Sequence, residues 1–356
     1  LLKDADQGKS SNLRENDLHI DLNRMKQANY LLQNFAVFTP LGHVDDPMEF
    51  ALRAIDKYYE EIDGNKDIIR PVYCYDDIEK NRKNGFMNAM LTLEEGAVVH
   101  NDLRILRDFY RLGVRMITLT WNYENGIAFP NFTPGKDEDR GDMLRHINET
   151  DGLTPFGREY VKECNRLGII VDVSHLGDKG FWDVIALSTK PIVASHSNAR
   201  SVCGVARNMS DEMILALHKN GGVMGMNYCE DFVSDDSNGS VMNIVKHINH
   251  IRDLGCIDNI GLGSDFDGIS TRKEMEECSK MYLLCDALEK EGYTTTVHGK
   301  GSYVLEVSQN EVKENCLRET EELLSRAIEK GKRSGITYQE MQDMLSLIME
   351  DVYDSH

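Results

Sequence analysis

Short, unbroken apolar runs alternate with longer segments whose apolar positions recur at helical spacing through most of this chain. The strand-like runs are NYLLQNFAVF (29–38), FMNAMLTLEE (86–95), VRMITLT (114–120), GIIVDVSH (168–175), PIVASHS (191–197), GGVMGMNY (221–228) and NIGLGSDF (259–266). Continuous apolar runs suit strands covered on both faces. Between them, MEFALRAIDKYYEEI, HNDLRILRDFYRLG, TPFGREYVKECNRLG, SDEMILALHKNGG and VMNIVKHINHIRDLG read as amphipathic helices. Four of these have Gly just past the apolar stripe, where a helix C-cap is expected, and Thr154 before Pro155 and Ser210 before Asp211-Glu212 read as N-caps. Alternating strands and helices predict a parallel sheet, open or closed as a (β/α)8 barrel of the TIM type. Seven strand candidates are present where a barrel needs eight, so we expect a barrel lacking its first strand.

From about residue 300 the character changes. Residues 309–356 are charged and helical, with a break at Lys332-Arg333-Ser334-Gly335. We expect a barrel domain over 1–305 and a helical C-terminal extension over 306–356, serving as an oligomerisation element or as a solvated tail.

In such a barrel the chemistry belongs at the C-terminal ends of the strands. Here those ends read Glu94-Glu95, Thr120-Trp121-Asn122, Ser174-His175, Ser195-His196, Asn227-Tyr228 and Ser264-Asp265-Phe266-Asp267. Two successive strands closing on Ser-His place both imidazoles on one rim, close enough to share a metal ion. Either histidine alone would read as a satisfied core residue; the recurrence favours a ligand pair. With the carboxylates of Glu94 and Asp265 they form a ligand set suited to Zn²⁺, and a metal-activated water would then hydrolyse without a covalent intermediate. No GxSxG elbow, P-loop or GxGxxG follows a strand, which leaves serine-hydrolase, NTPase and Rossmann readings without support.

The charge narrows the partners. The 356 residues carry 60 acidic against 40 basic side chains, a formal charge of −20, which repels phosphate backbones and anionic lipid. Nucleic-acid and membrane-surface roles are therefore not expected, nor is a membrane span, because no apolar run approaches the ~18–20 residues required. Eight scattered cysteines without a CxxC pair fit a reducing cytoplasm, and LLKDADQGKSS has no secretory character.

TLEEG (92–96), the paired LGIIVDVSH and PIVASHSNARSVCGVARN (191–208), and GLGSDFDG (261–268) resemble the membrane dipeptidase (renal dipeptidase) family of zinc peptidases, over roughly residues 18–290. The resemblance implies a binuclear zinc (β/α)8 barrel that cleaves dipeptides, in some members with a D-residue at the C-terminal position, and a possible homodimer. It makes Glu94 the carboxylate bridging the zincs, and His175 and His196 the imidazoles of one zinc. Arg207 then holds the substrate carboxylate, a task suited to a bidentate guanidinium. Asp265 handles the proton of the bridging water and the nearby substrate amine. Glu95 could compete with Glu94, but the TLEEG match favours Glu94.

The chain departs from the family in three places. His19-Ile20-Asp21 fits the HxD pattern that gives the family two ligands of its other zinc. Yet LHIDLNRMKQANYLLQNFAVF resembles the segment leading into the family's second strand, and NLREND before it holds no strand-like run. His19 and Asp21 are therefore expected not to bind metal, which leaves one zinc site of two. Trp121 stands where the renal enzyme resembles LTH with a substrate-contacting histidine. Beyond GYTTT, VHGKGSYVLEVSQ and the charged helices do not match the family's closing helix.

Elsewhere, His247 and His250 in HINH could meet a metal on a helix face, but lie away from the rim. DFDG lacks the further ligands of a calcium loop. Two other functions stay open: a related metal-dependent amidohydrolase acting on another small amide or a lactone, and a barrel without catalysis used for binding or assembly.

Overall fold

The computed structural model describes residues 1–9, 11–131, 144–236, 239–270, 274–297, 301–304 and 309–353. Two compact units divide it, Leu1–Glu291 and Gly292–His356. The boundary precedes by a few residues the change of sequence character near residue 300.

The first unit is built on parallel strands β1 (Leu32–Phe38), β2 (Ile69–Pro71), β3 (Met87–Glu94), β4 (Val114–Thr118), β5 (Ile170–Asp172), β6 (Val193–Ala194), β7 (Val223–Met226) and β8 (Ile260–Leu262). They pair in the order β1-β3-β4-β5-β6-β7-β8, with β2 joined to the first residues of β3. Every pairing in this sheet is parallel and nearly every link joins strands consecutive in sequence. That is the order of a (β/α)8 barrel wall, and the seven expected strands are the seven on the path. Among the described residues β1 and β8 do not pair, so the wall stays open there. The hydrophobic pattern does not predict β2, because three residues are too few to show a period.

The caps explain the helix boundaries. Thr154 accepts from the Gly157 amide (2.9 Å) and Pro155 opens helix Pro155–Leu167, while Gly168 ends it with φ +81°. That left-handed turn suits a residue without Cβ. Ser210 and Gly221 (φ +76°) frame helix Asp211–Asn220 in the same way. Helix Pro155–Leu167 buries Tyr160, Val161 and Cys164 on one stripe. Strand residues Leu91, Leu93, Ile117, Val171 and Met226 are 1% exposed or less. Burying each such side chain contributes about 1.5–3 kcal/mol, and this shared core holds the strand ends in register.

The second unit contains an antiparallel pair, Thr294–Val297 with Gly301–Val304, and helices Gln309–Arg333 and Tyr338–Tyr353. The helices are interrupted where the sequence predicts, at Gly335 (φ +80°), with the Ile336 amide bonding back to the Gly331 carbonyl (3.0 Å).

Candidate metal centre and substrate site

Glu94 is the last residue of β3. His175 and His196 follow β5 and β6 within three residues, so all three side chains reach one rim. Their ligand atoms lie within 4.8 Å of one another, and among the described residues no other group of three His, Cys, Asp or Glu side chains is so placed. His175 Nε2 is 2.9 Å from His196 Nε2, and Glu94 Oε1 is 3.3 and 3.7 Å from the same two nitrogens. The His175 and Glu94 side chains are 8% and 14% exposed, so the group is enclosed with a small opening at Glu94.

The outer partners fix the chemistry of this group. His175 Nδ1 lies 2.8 Å from Asn122 Oδ1, a carbonyl oxygen that can only accept, so the Nδ1 carries the proton. His196 Nδ1 lies 2.7 Å from Ser195 Oγ, whose own proton goes to Asp172 (2.5 Å). Both imidazoles therefore turn bare Nε2 lone pairs towards each other and towards a carboxylate. Burial pushes His175 well below the ordinary histidine range, with Arg207 adding to the effect, and lowers His196 too. Burial also pushes Glu94 upward, against the pull of His196. Two bare imidazole nitrogens converging with one carboxylate fit a divalent cation, which would relieve the repulsion between the nitrogen lone pairs.

Backbone geometry is unusual around this rim. His175 (φ +68°), Asp265 (φ +60°) and Asp267 (φ +69°) adopt the left-handed region, and Glu95 has φ +111°. Non-glycine residues there cost of order 1–3 kcal/mol each and cluster at functional sites. Close packing holds the wall behind His196. A Cβ on Gly225 or Gly263 would fall 2.1 or 1.9 Å from the Ser195 carbonyl oxygen.

Arg207 is 5% exposed and donates to the His196 carbonyl (3.2 Å), while its Nε has no partner among the described residues. Burial works against its charge, and Asp265, Glu94 and Asp172 support it. Asp265 Oδ2 accepts from Asn227 Nδ2 (3.2 Å); burial raises its pKa, with His196 and Arg207 opposing and Glu94 reinforcing. The five residues singled out in the sequence are thus gathered at one end of the sheet. Glu95 is not part of the group. Its carboxylate accepts from Ala97 N (2.8 Å), Asn125 Nδ2 (2.6 Å) and Trp121 N (3.1 Å), and burial raises it to about 7.

The HxD-like pair is engaged elsewhere. Asp21 caps helix Leu22–Gln27 by accepting from Arg24 N (2.8 Å) and holds the Arg24 guanidinium at 2.7 Å. His19 exchanges bonds with Asp267: its amide donates to Asp267 Oδ1 (2.7 Å), and its Nδ1 accepts from the Asp267 amide (3.0 Å). His247 of HINH is structural. Its Nδ1 accepts from Ala199 N (3.1 Å) and its Nε2 donates to Val233 O (2.9 Å). Four residues of the site, Asp172, Ser195, Asn122 and Asn227, carry no assigned role in the sequence reading. Their signal is only that polar residues crowd the strand ends.

Comparison with known proteins agrees with this geometry. The profile of the membrane dipeptidase family (peptidase family M19) matches residues 2–307. An uncharacterized protein encoded in the pqqA 5' region of Klebsiella pneumoniae is 34% identical over 230 residues, 63% of this chain and 81% of its own length. An uncharacterized dipeptidase of Schizosaccharomyces pombe is 34% identical over 278 residues, 76% of this chain, which spans only 62% of that relative. Among solved structures, a metallopeptidase from Rhodobacter sphaeroides liganded with a phosphinate mimic of the dipeptide L-Ala-D-Ala superposes with a TM-score of 0.74. It is 25% identical, over 82% of this chain and 90% of the other. A dipeptidase AC of family M19 gives the same TM-score at 26% identity, over 82% and 89% of the two chains. The chain belongs to the membrane dipeptidase family, peptidase family M19, and is a metallo-dipeptidase built on the family's α/β barrel.

Proposed function

We propose that this protein hydrolyses the peptide bond of small dipeptides with a zinc ion held by Glu94, His175 and His196, Arg207 gripping the substrate carboxylate and Asp265 moving the proton. The observation that carries this reading is the meeting of two bare Nε2 atoms, 2.9 Å apart, with one carboxylate. When bound, zinc polarises a carbonyl and brings the pKa of a coordinated water near 7. The protein supplies the rest.

Arg207 is fixed through its bond to the His196 carbonyl and keeps a buried Nε without a partner among the described residues, which supports a carboxylate binding there. Its bond to the His196 carbonyl supports a substrate held with its C-terminal end beside the ligand group. Asp265, with Oδ2 held by Asn227, has its proton affinity raised by burial and can take a proton from water and return it to the amine released by C–N cleavage. The relative crystallised with a mimic of L-Ala-D-Ala supports a dipeptide of that kind.

Seven described cysteines are free. They suit a reducing compartment, which we take to be the cytoplasm. No helix of the described residues is long and apolar enough to cross a membrane.

Elemental analysis after zinc loading, with hydrolysis of L-Ala-L-Ala and L-Ala-D-Ala before and after chelation, tests the reading. About one zinc per chain is expected, with hydrolysis that chelation abolishes and zinc restores. A chain that takes up no zinc and cleaves neither dipeptide would refute it. Arg207→Ala should leave zinc content intact and raise KM by one to two orders of magnitude, as loss of a buried charge-assisted contact does.

A further inference from the structure

Asp172 is the last residue of β5, lies 1% exposed, and accepts four hydrogen bonds. One oxygen, Oδ1, accepts two backbone amides, Ser174 N (3.0 Å) and Ser195 N (2.9 Å). The other, Oδ2, accepts two hydroxyls, Thr118 Oγ1 (2.6 Å) and Ser195 Oγ (2.5 Å). Ser195 Oγ in turn lies 2.7 Å from His196 Nδ1. The order of these bonds has a direction. A hydroxyl has one proton, and Ser195 gives its proton to Asp172. What remains on Ser195 Oγ towards His196 is a lone pair, which requires a proton on Nδ1.

We propose that Asp172 and Ser195 form a buried relay of positioning residues that locks His196 in its Nδ1–H form, so that its Nε2 is permanently bare for the metal. The inference rests on reading His175 and His196 as zinc ligands, but the tautomer itself is a property of the metal-free protein. The same strand end holds His196 a second way. Ser174 Oγ accepts the His196 amide (3.0 Å) and lies 3.3 Å from Ser195 Oγ, so the backbone and ring of His196 are both tied to the β5 terminus. The relay therefore couples the two histidine-bearing strands, and not only one ring. His175 gets its tautomer separately, from Asn122.

The arrangement also fixes what substitution must do. In Asp172→Asn the new amide NH₂ cannot face the two backbone N–H donors, so it must occupy the hydroxyl side. There it donates to Ser195 Oγ, whose proton is then released towards His196 Nδ1. The ring should switch to the Nε2–H form, with a proton where the metal would bind. Ser195→Ala removes the link without reversing it and leaves the ring free to choose. Ser195→Thr restores the hydroxyl.

Imidazole ¹⁵N NMR on the metal-free full chain, with zinc dissociation constants from chelator competition, tests this. Expected are Nδ1–H for His196 in the parent protein, a mixed tautomer with 10–100-fold weaker zinc binding in Ser195→Ala, and recovery of both in Ser195→Thr. Asp172→Asn should show Nε2–H and the weakest zinc binding. An Nε2–H tautomer in the parent protein, or parent-like tautomer and affinity in Ser195→Ala, would overturn the relay. A parent protein with Nδ1–H that binds no zinc would leave the relay standing and remove the zinc reading instead. The parent spectrum decides the tautomer even if a variant does not fold.

Discussion

Two parts of this chain carry histidine motifs that look alike on paper, and they end in different surroundings. His175 and His196 each follow a buried strand, so the parallel sheet delivers both rings to one rim with their Nε2 atoms 2.9 Å apart. His19 and Asp21 are closer in sequence but lie outside any strand, and each is bound to local structure. Asp21 caps a helix, and His19 is paired with the Asp267 backbone and side chain. Spacing in sequence suggests a pair; attachment to neighbouring strand ends is what brings two rings together. HINH gives the same lesson from the helical side, since His247 and His250 face different partners, Val233 and Asp211.

The sharpest break in this comparison comes from removing a rim histidine. His175→Ala or His196→Ala should abolish stoichiometric zinc and lower dipeptide hydrolysis by three orders of magnitude or more, measured by elemental analysis and steady-state kinetics. A variant keeping zinc and full activity would show that the rim pair is ornamental.

His247 provides the structural counterpart. Burial holds its pKa at about 4, below the ordinary histidine value near 6.5. Its folded-state pKa is depressed, so the folded chain resists taking up a proton that the unfolded chain accepts. The neutral ring's stability is complete above about pH 6.5 and is lost as the pH falls towards 4, by up to about 3 kcal/mol. Denaturant titrations across that window should show the loss, and His247→Gln should flatten the slope while leaving zinc content unchanged.

Smaller effects belong to the N-terminal pair. Asp21→Ala removes a helix cap and a partly buried Arg24 contact and should cost about 1–2 kcal/mol with zinc content unaltered. His19→Ala should cost less than about 1 kcal/mol, again with unaltered zinc, because a backbone amide of the residue still bonds to Asp267. Loss of a zinc ion in either variant would restore them as ligands and reverse the comparison.

Much of the architecture was legible because its causes are local. Continuous apolar runs are what doubly covered parallel strands require, and Thr154, Ser210, Gly168 and Gly221 stop and start helices by bonding within a few residues. The placement of Glu94, His175, His196 and Asp265 near strand ends followed from the same pattern, whereas Arg207, thirteen residues beyond β6, was singled out only by resemblance to the family. The choice between Glu94 and Glu95 did not. Adjacent residues at a strand end diverge by their backbone angles, and Glu95, at φ +111°, is turned to cap the segment at Ala97.

The amino-acid order thus determined the parallel strand-helix alternation, the polar rim and the recurrence of Ser-His, since each depends on residue type and short-range periodicity. Only the tertiary structure decided which way each imidazole holds its proton. That is set by Asn122, 53 residues from His175, and by Asp172, 23 residues from Ser195, side chains that meet only when separate strands are packed side by side. It also decided that Asp21 caps a helix and holds the Arg24 guanidinium. Both outcomes depend on where a side chain's partners arrive in space, and sequence spacing contains no such information.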